Sequence, residues 1–143
     1  MAKAYFDSKA KNCKQACYAD SAGIAAFTGF PASRCAIEVM DELYHIDLSE
    51  HQAKPVSPEL IDHSDLVLGM TEMHKKVLQK AYPDDTDKIF TLTEYARILS
   101  PDRQDEWPFE IRDPYGNMLS AYKEVIRQIA VLVDILIEHL CKI

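Results

Sequence analysis

The chain has 143 residues, of which 48% are hydrophobic and 27% charged, as in a soluble globular protein large enough for one domain with a real core. Lysine and arginine number 16 against 23 acidic residues, and the net charge of −7 excludes the basic surface that nucleic acid or an anionic membrane requires. No signal peptide opens the chain, and its longest apolar stretch, Ile129–Ile137, carries Asp134 and falls far short of the roughly twenty residues of a membrane span, so a cytoplasmic protein is expected.

The opening "MAKAYFDSKAKN" reads as a helix, with Ala2, Tyr5, Phe6 and Ala10 at roughly helical spacing and no Gly or Pro. Cys13, Cys17, Cys35 and Cys141 are too scattered for a disulfide framework. Cys13 and Cys17 stand four apart but lack further soft ligands, so small buried hydrophobes are expected rather than a metal or redox site. A short strand is expected at Cys17–Asp20, stopped by Ser21 and Gly23, and a loop with Gly29 and Pro31 follows. Ser33 can cap a helix whose apolar positions Ala36, Val39, Met40 and Leu43 share one face.

Ser57 and Pro58 mark another helix start, since the missing N–H of a proline costs nothing at the first helical position. "SDLVLGM" reads as a strand covered on both faces, and Thr71 caps the helix "EMHKKVLQKAY" after it. "PDDTD" lacks the glycine and the later glutamate of a calcium loop and reads as a solvated turn. "KIFTL" is the next strand, then a short helix at "TEYARIL", a polar loop from Ser100 to Asn117 in which Trp107 either shapes the cleft or, the favoured reading, anchors the loop, and a long closing helix at about Leu119–Leu140. His45, His51, His63 and His74 have no metal-ligand spacing.

Strands and helices alternate, which predicts an α/β fold: a three-layer sandwich around a small parallel sheet, as one domain over residues 1–143. Such folds normally lead into the first helix from a strand, and bind ligands at the carboxyl ends of the strands with a helix N-terminus as anion site. Here the strand in front of the first helix is not present. The stretch with most chemical content is "IRDPYGNM". Pro114 biases Asp113 toward extended backbone, Tyr115 offers an aromatic wall, and Gly116 permits a tight turn. By itself this is either a turn before the last helix or an outward carboxylate suited to general-acid work on an aryl-like leaving group.

From about Tyr18 onward the chain resembles the low-molecular-weight protein-tyrosine phosphatases, especially the bacterial branch that includes protein-arginine phosphatases. The segments that carry the resemblance are "SAGI", "IDLSEHQAKPVS", "SDLVLGMT", "KIFTLTEY" and "DPYGN", in family order and at family-like spacing. The resemblance implies a phosphatase acting on phosphorylated proteins through a phosphocysteine intermediate, with no metal and no cofactor. Asp113 matches the family's general acid and base, Tyr115 the aromatic that lines the substrate cleft, and His51 falls in a family-like segment as structural support.

The family's nucleophile lies in a loop with a cysteine, five residues, an arginine and a serine, and "MAKA" resembles the helix that follows it. Six residues after Cys13, Cys17 and Cys35 stand Ala19, Gly23 and Asp41, and Cys141 has too little chain behind it. No nucleophile of the family type is therefore present, and these 143 residues are expected to be inactive as they stand. A phosphatase whose start was assigned at an internal methionine is the favoured reading, against a non-catalytic phosphatase-like binding or regulatory domain and against a likeness of fold alone. Part of the choice between phosphotyrosine and phosphoarginine lies inside that loop, and oligomeric state is not legible here.

Overall fold

The computed structural model describes residues 1–141, without the side chain of Gln104. Residues 142 and 143, the last of the span expected to form one domain, lie outside it. The helices are α1 (Ala2–Ala10), α2 (Arg34–Tyr44), α3 (Pro58–Asp62), α4 (Glu72–Ala81), α5 (Leu92–Leu99) and α6 (Leu119–Leu140), and the strands are β1 (Val67–Gly69) and β2 (Ile89–Thr91). They fall into two compact units, Val56–Arg112 and the rest of the chain.

The Val56–Arg112 unit is built on a strand–helix–strand crossover. β1 and β2 pair in parallel with Val67 opposite Ile89, Leu68 opposite Phe90 and Gly69 opposite Thr91, as the apolar runs require. Ser57 accepts from the Leu60 amide at 3.3 Å to start α3, and Thr71 accepts from His74 at 3.2 Å to start α4. α5 begins with a full capping box: Thr91 Oγ1 accepts from the Glu94 amide at 3.0 Å, and Glu94 Oε2 accepts from the Thr91 amide at 3.2 Å. Ile61, Leu78 and Ile89 form a small core, with Val56, Val67 and Tyr82 packed on it. Where β1 turns into α4, Gly69 leaves room that a side chain would not, because a Cβ there would stand 3.0 Å from the His74 Cβ and 3.2 Å from the Lys75 amide nitrogen.

The other unit is helical. α6 packs against α1 and α2, and Ile126, Ile129, Ala130, Val133, Leu136 and Ile137 repeat on its buried side at helical spacing. Tyr5 joins all three helices. Its hydroxyl donates to Asp134 Oδ1 at 3.0 Å, and its ring meets that of Tyr44 edge-on at 5.0 Å. Ser33 caps α2 by accepting from the Ala36 amide at 3.2 Å, and its hydroxyl donates to Tyr122 Oη at 3.1 Å. His45 ends α2 in the left-handed conformation at φ 54°.

One expected element does not form. Cys17–Asp20 is irregular backbone, and Tyr18 is almost fully exposed. An extended segment becomes a strand only when neighbouring backbone satisfies its N–H and C=O groups. Among the described residues such pairing begins only beyond this segment, with an isolated bridge from Gly23 to Pro55 and amide bonds from Gly23 to Lys54 O at 2.9 Å, from Gly29 to Ala53 O at 2.8 Å and from Ala53 to Phe30 O at 2.8 Å. Two expected loops carry more order than their composition implied, since Pro83–Lys88 and Pro101–Glu106 are 3-10 helices.

Candidate functional site

Asp113–Asn117 forms a tight turn in front of α6. The Asn117 amide donates to the Pro114 carbonyl at 3.0 Å, and Gly116, third of the four turn residues, has φ +80°. That is the geometry that favours glycine at this position, because other L-residues are strained there. Asp113 Oδ1 accepts from the Tyr115 amide at 3.0 Å, so the turn holds its own carboxylate outward. Pro114 is buried and Asp113 exposed, while Tyr115 projects with 76% of its surface accessible. The buried proline thus sits beside an exposed carboxylate and an exposed phenol. Asp113 and Tyr115 therefore both stand on this turn, joined by the bond from the Tyr115 amide to the Asp113 carboxylate.

The chain ahead of this turn is fixed as well. Within the Val56–Arg112 unit the Ile111 amide donates to Met70 O at 2.9 Å, and Glu110 Oε2 accepts from the Glu72 amide at 3.0 Å, capping α4. Trp107 is buried, its carbonyl accepts from Arg97 at 3.4 Å, and the Arg103 guanidinium stands 5.5 Å from its ring centre. It anchors the loop.

His51 belongs to the helical unit. Burial, then the positive charges of the Met1 amine and Lys3, lower its pKa from the ordinary histidine value and favour the neutral imidazole. A shallow recess of about 660 Å³ lies elsewhere, in the Val56–Arg112 unit, lined by the Lys75–Glu94 ion pair together with Lys76, Ile98 and Phe109. It includes neither Asp113 nor Tyr115. Among the described residues no group of three His, Cys, Asp or Glu side chains is arranged to hold a metal ion, and no helix is long and apolar enough to cross a membrane.

Cys13, Cys17 and Cys141 were expected to be small buried hydrophobes; Cys141 is buried, but Cys13 and Cys17 are only half-buried and lie beside it. Nothing in the sequence pointed to this proximity, because the contact of Cys17 Sγ with the Leu140 carbonyl joins residues 123 positions apart.

A parallel strand pair joined through a helix, beside an α-helical unit, defines a protein of the α/β class. The chain belongs to the low molecular weight phosphotyrosine protein phosphatase family, whose pattern it matches over residues 1–142. It is 36% identical over 114 residues to a probable low molecular weight protein-tyrosine-phosphatase, EpsP, of Ralstonia nicotianae, covering 80% of this chain and 70% of that protein. It is 34% identical over 137 residues to a protein-arginine-phosphatase of Bacillus subtilis, covering 91% and 85%. The crystal structure of a low molecular weight protein tyrosine phosphatase from T. tengcongensis superposes with a TM-score of 0.86 at 39% identity, over 97% of this chain and 88% of that one. The expected α/β fold class with a small parallel sheet is therefore that of the family.

Proposed function

We propose that these residues form, as one domain, the acid-supplying part of a cytoplasmic phosphatase that hydrolyses phosphotyrosine or phosphoarginine on proteins. The observation that carries this is the Asp113–Asn117 turn, which presents a carboxylate and an aromatic side chain outward from a rigid base. Asp113 protonates the leaving group as the phosphoryl group passes to a cysteine thiolate, then takes a proton from the water that hydrolyses the phosphocysteine. Tyr115 packs against the leaving group and orients it.

The nucleophile and its phosphate cradle are a cysteine and an arginine six residues on, with backbone amides between them that hold the phosphoryl oxygens most tightly in the transition state. No cysteine in the 143 residues has that arginine, so we expect the chain by itself to be inactive. The test is a chimera carrying the strand and Cys-x5-Arg-Ser loop of a relative ahead of Met1, assayed on phosphotyrosine and phosphoarginine peptides. Turnover is expected in the chimera and none in the 143-residue protein. In the chimera Asp113→Asn should lower kcat by about 10²–10⁴ fold, most for substrates with poor leaving groups. An inactive but folded chimera that still binds phosphopeptide would favour the non-catalytic binding domain instead.

A further inference from the structure

The sulfurs of Cys13, Cys17 and Cys141 converge where α1 gives way to its connector and α6 ends. Cys141 is fully buried at the close of α6, its amide donating to Ile137 O at 3.1 Å. Cys17 and Cys13 stand near enough to its thiol to raise its pKa. Cys17 Sγ also lies 3.9 Å from the carbonyl of Leu140, the residue before Cys141. Cys13 is set by a turn, its amide donating to Ala10 O at 3.0 Å, and both Cys13 and Cys17 are partly accessible to solvent. Cys35, on α2, is the remaining cysteine.

We infer that Cys17 and Cys141 form a reversible, peroxide-responsive disulfide that fastens the end of α6 to the connector after α1. The Cys17 thiol, partly accessible where Cys141 is buried, is oxidised first: it attacks the peroxide O–O bond, giving a sulfenic acid and one water. The Cys141 thiol then displaces the sulfenic hydroxyl, which leaves with the thiol proton as a second water, and the S–S bond forms. Two thiols and one hydrogen peroxide thus yield one disulfide and two waters. Burial, followed by the two neighbouring thiols, pushes the Cys141 thiol up to about 12, so it stays protonated and hidden until its partner is oxidised. In a reducing cytosol such a bond is transient, which suits a sensor rather than a structural staple.

The experiment treats the 143-residue protein with hydrogen peroxide, alkylates the remaining thiols, and maps the digest without reductant by mass spectrometry. The expected product is a Cys17–Cys141 peptide that dithiothreitol releases. Its yield should be severalfold above that from the same treatment in concentrated urea, and it should persist in Cys35→Ser. In Cys17→Ser the linkage should move to Cys13–Cys141. Full alkylation of Cys141 after oxidation, capture of Cys35 as often as Cys17, or equal yields in native buffer and urea would each overturn the proposal. No step of the readout uses phosphatase turnover, so its failure leaves the proposed function standing, and the reverse.

Discussion

Thr91 and Thr93 stand two residues apart at the start of α5, both buried, with opposite expected responses to the same substitution. Thr91 is 3% exposed and its hydroxyl oxygen accepts the Glu94 amide at 3.0 Å. Thr93 is 0% exposed, and among the described residues its hydroxyl has no hydrogen-bond partner. Replacement by valine keeps the branch at Cβ and nearly the same volume and helix propensity, so the hydroxyl is the main thing removed. Thr91→Val deletes half of the capping box and leaves the Glu94 amide unpaired, a loss of about 1–2 kcal/mol. Thr93→Val relieves a buried hydroxyl that has been desolvated without compensation, and stability should rise by about 1 kcal/mol.

The two variants should therefore differ by about 2–3 kcal/mol, which at a urea slope of about 2 kcal/mol/M separates their midpoints by at least ~1 M. Trp107, the single tryptophan, is buried in the same unit and reports its unfolding by fluorescence. Equal losses for the two variants at unchanged slope would refute the reasoning, because burial alone, and not hydrogen bonding, would then govern both positions.

Two further outcomes follow from the helical unit. Tyr5→Phe removes the hydrogen bond to Asp134 and should cost about 1 kcal/mol near neutral pH. Burial, then the bond to Asp134 and its charge, raise the Tyr5 phenol above its ordinary 10.0, so its contribution is complete below pH 10 and is lost as pH rises from there toward the folded-state value. Urea midpoints measured across that alkaline range should fall less steeply for Tyr5→Phe than for the parent, and identical alkaline slopes would remove Tyr5 as a cause. At Gly116, φ +80° with open space around it means that a side chain is disfavoured by backbone strain and not by collision. Gly116→Ala should cost about 1–2 kcal/mol and Gly116→Asn less, since asparagine tolerates the left-handed region, and the same order should hold for kcat in the loop-carrying chimera. A Gly116→Asn variant as impaired as Gly116→Ala in both readouts would point to a steric role.

Helix starts were legible in the sequence because each is a local bargain between one side chain and the amides that follow it. Ser33, Ser57 and Thr71 cap the helices they were expected to cap. The α/β class and the "DPYGN" turn were legible for the same reason: periodicity and the demands of proline and glycine act over a few residues. Strand formation at Cys17–Asp20 was not, because a strand depends on backbone from another part of the chain, and among the described residues that backbone meets the chain only further on, at Gly23, Gly29 and Phe30. Nor was the gathering of Cys13 and Cys17 with Cys141 at the far end of the chain. Local chemistry was therefore determined by the sequence alone, whereas partners distant along the chain were decided only when packing of α1 against α6 brought them within reach.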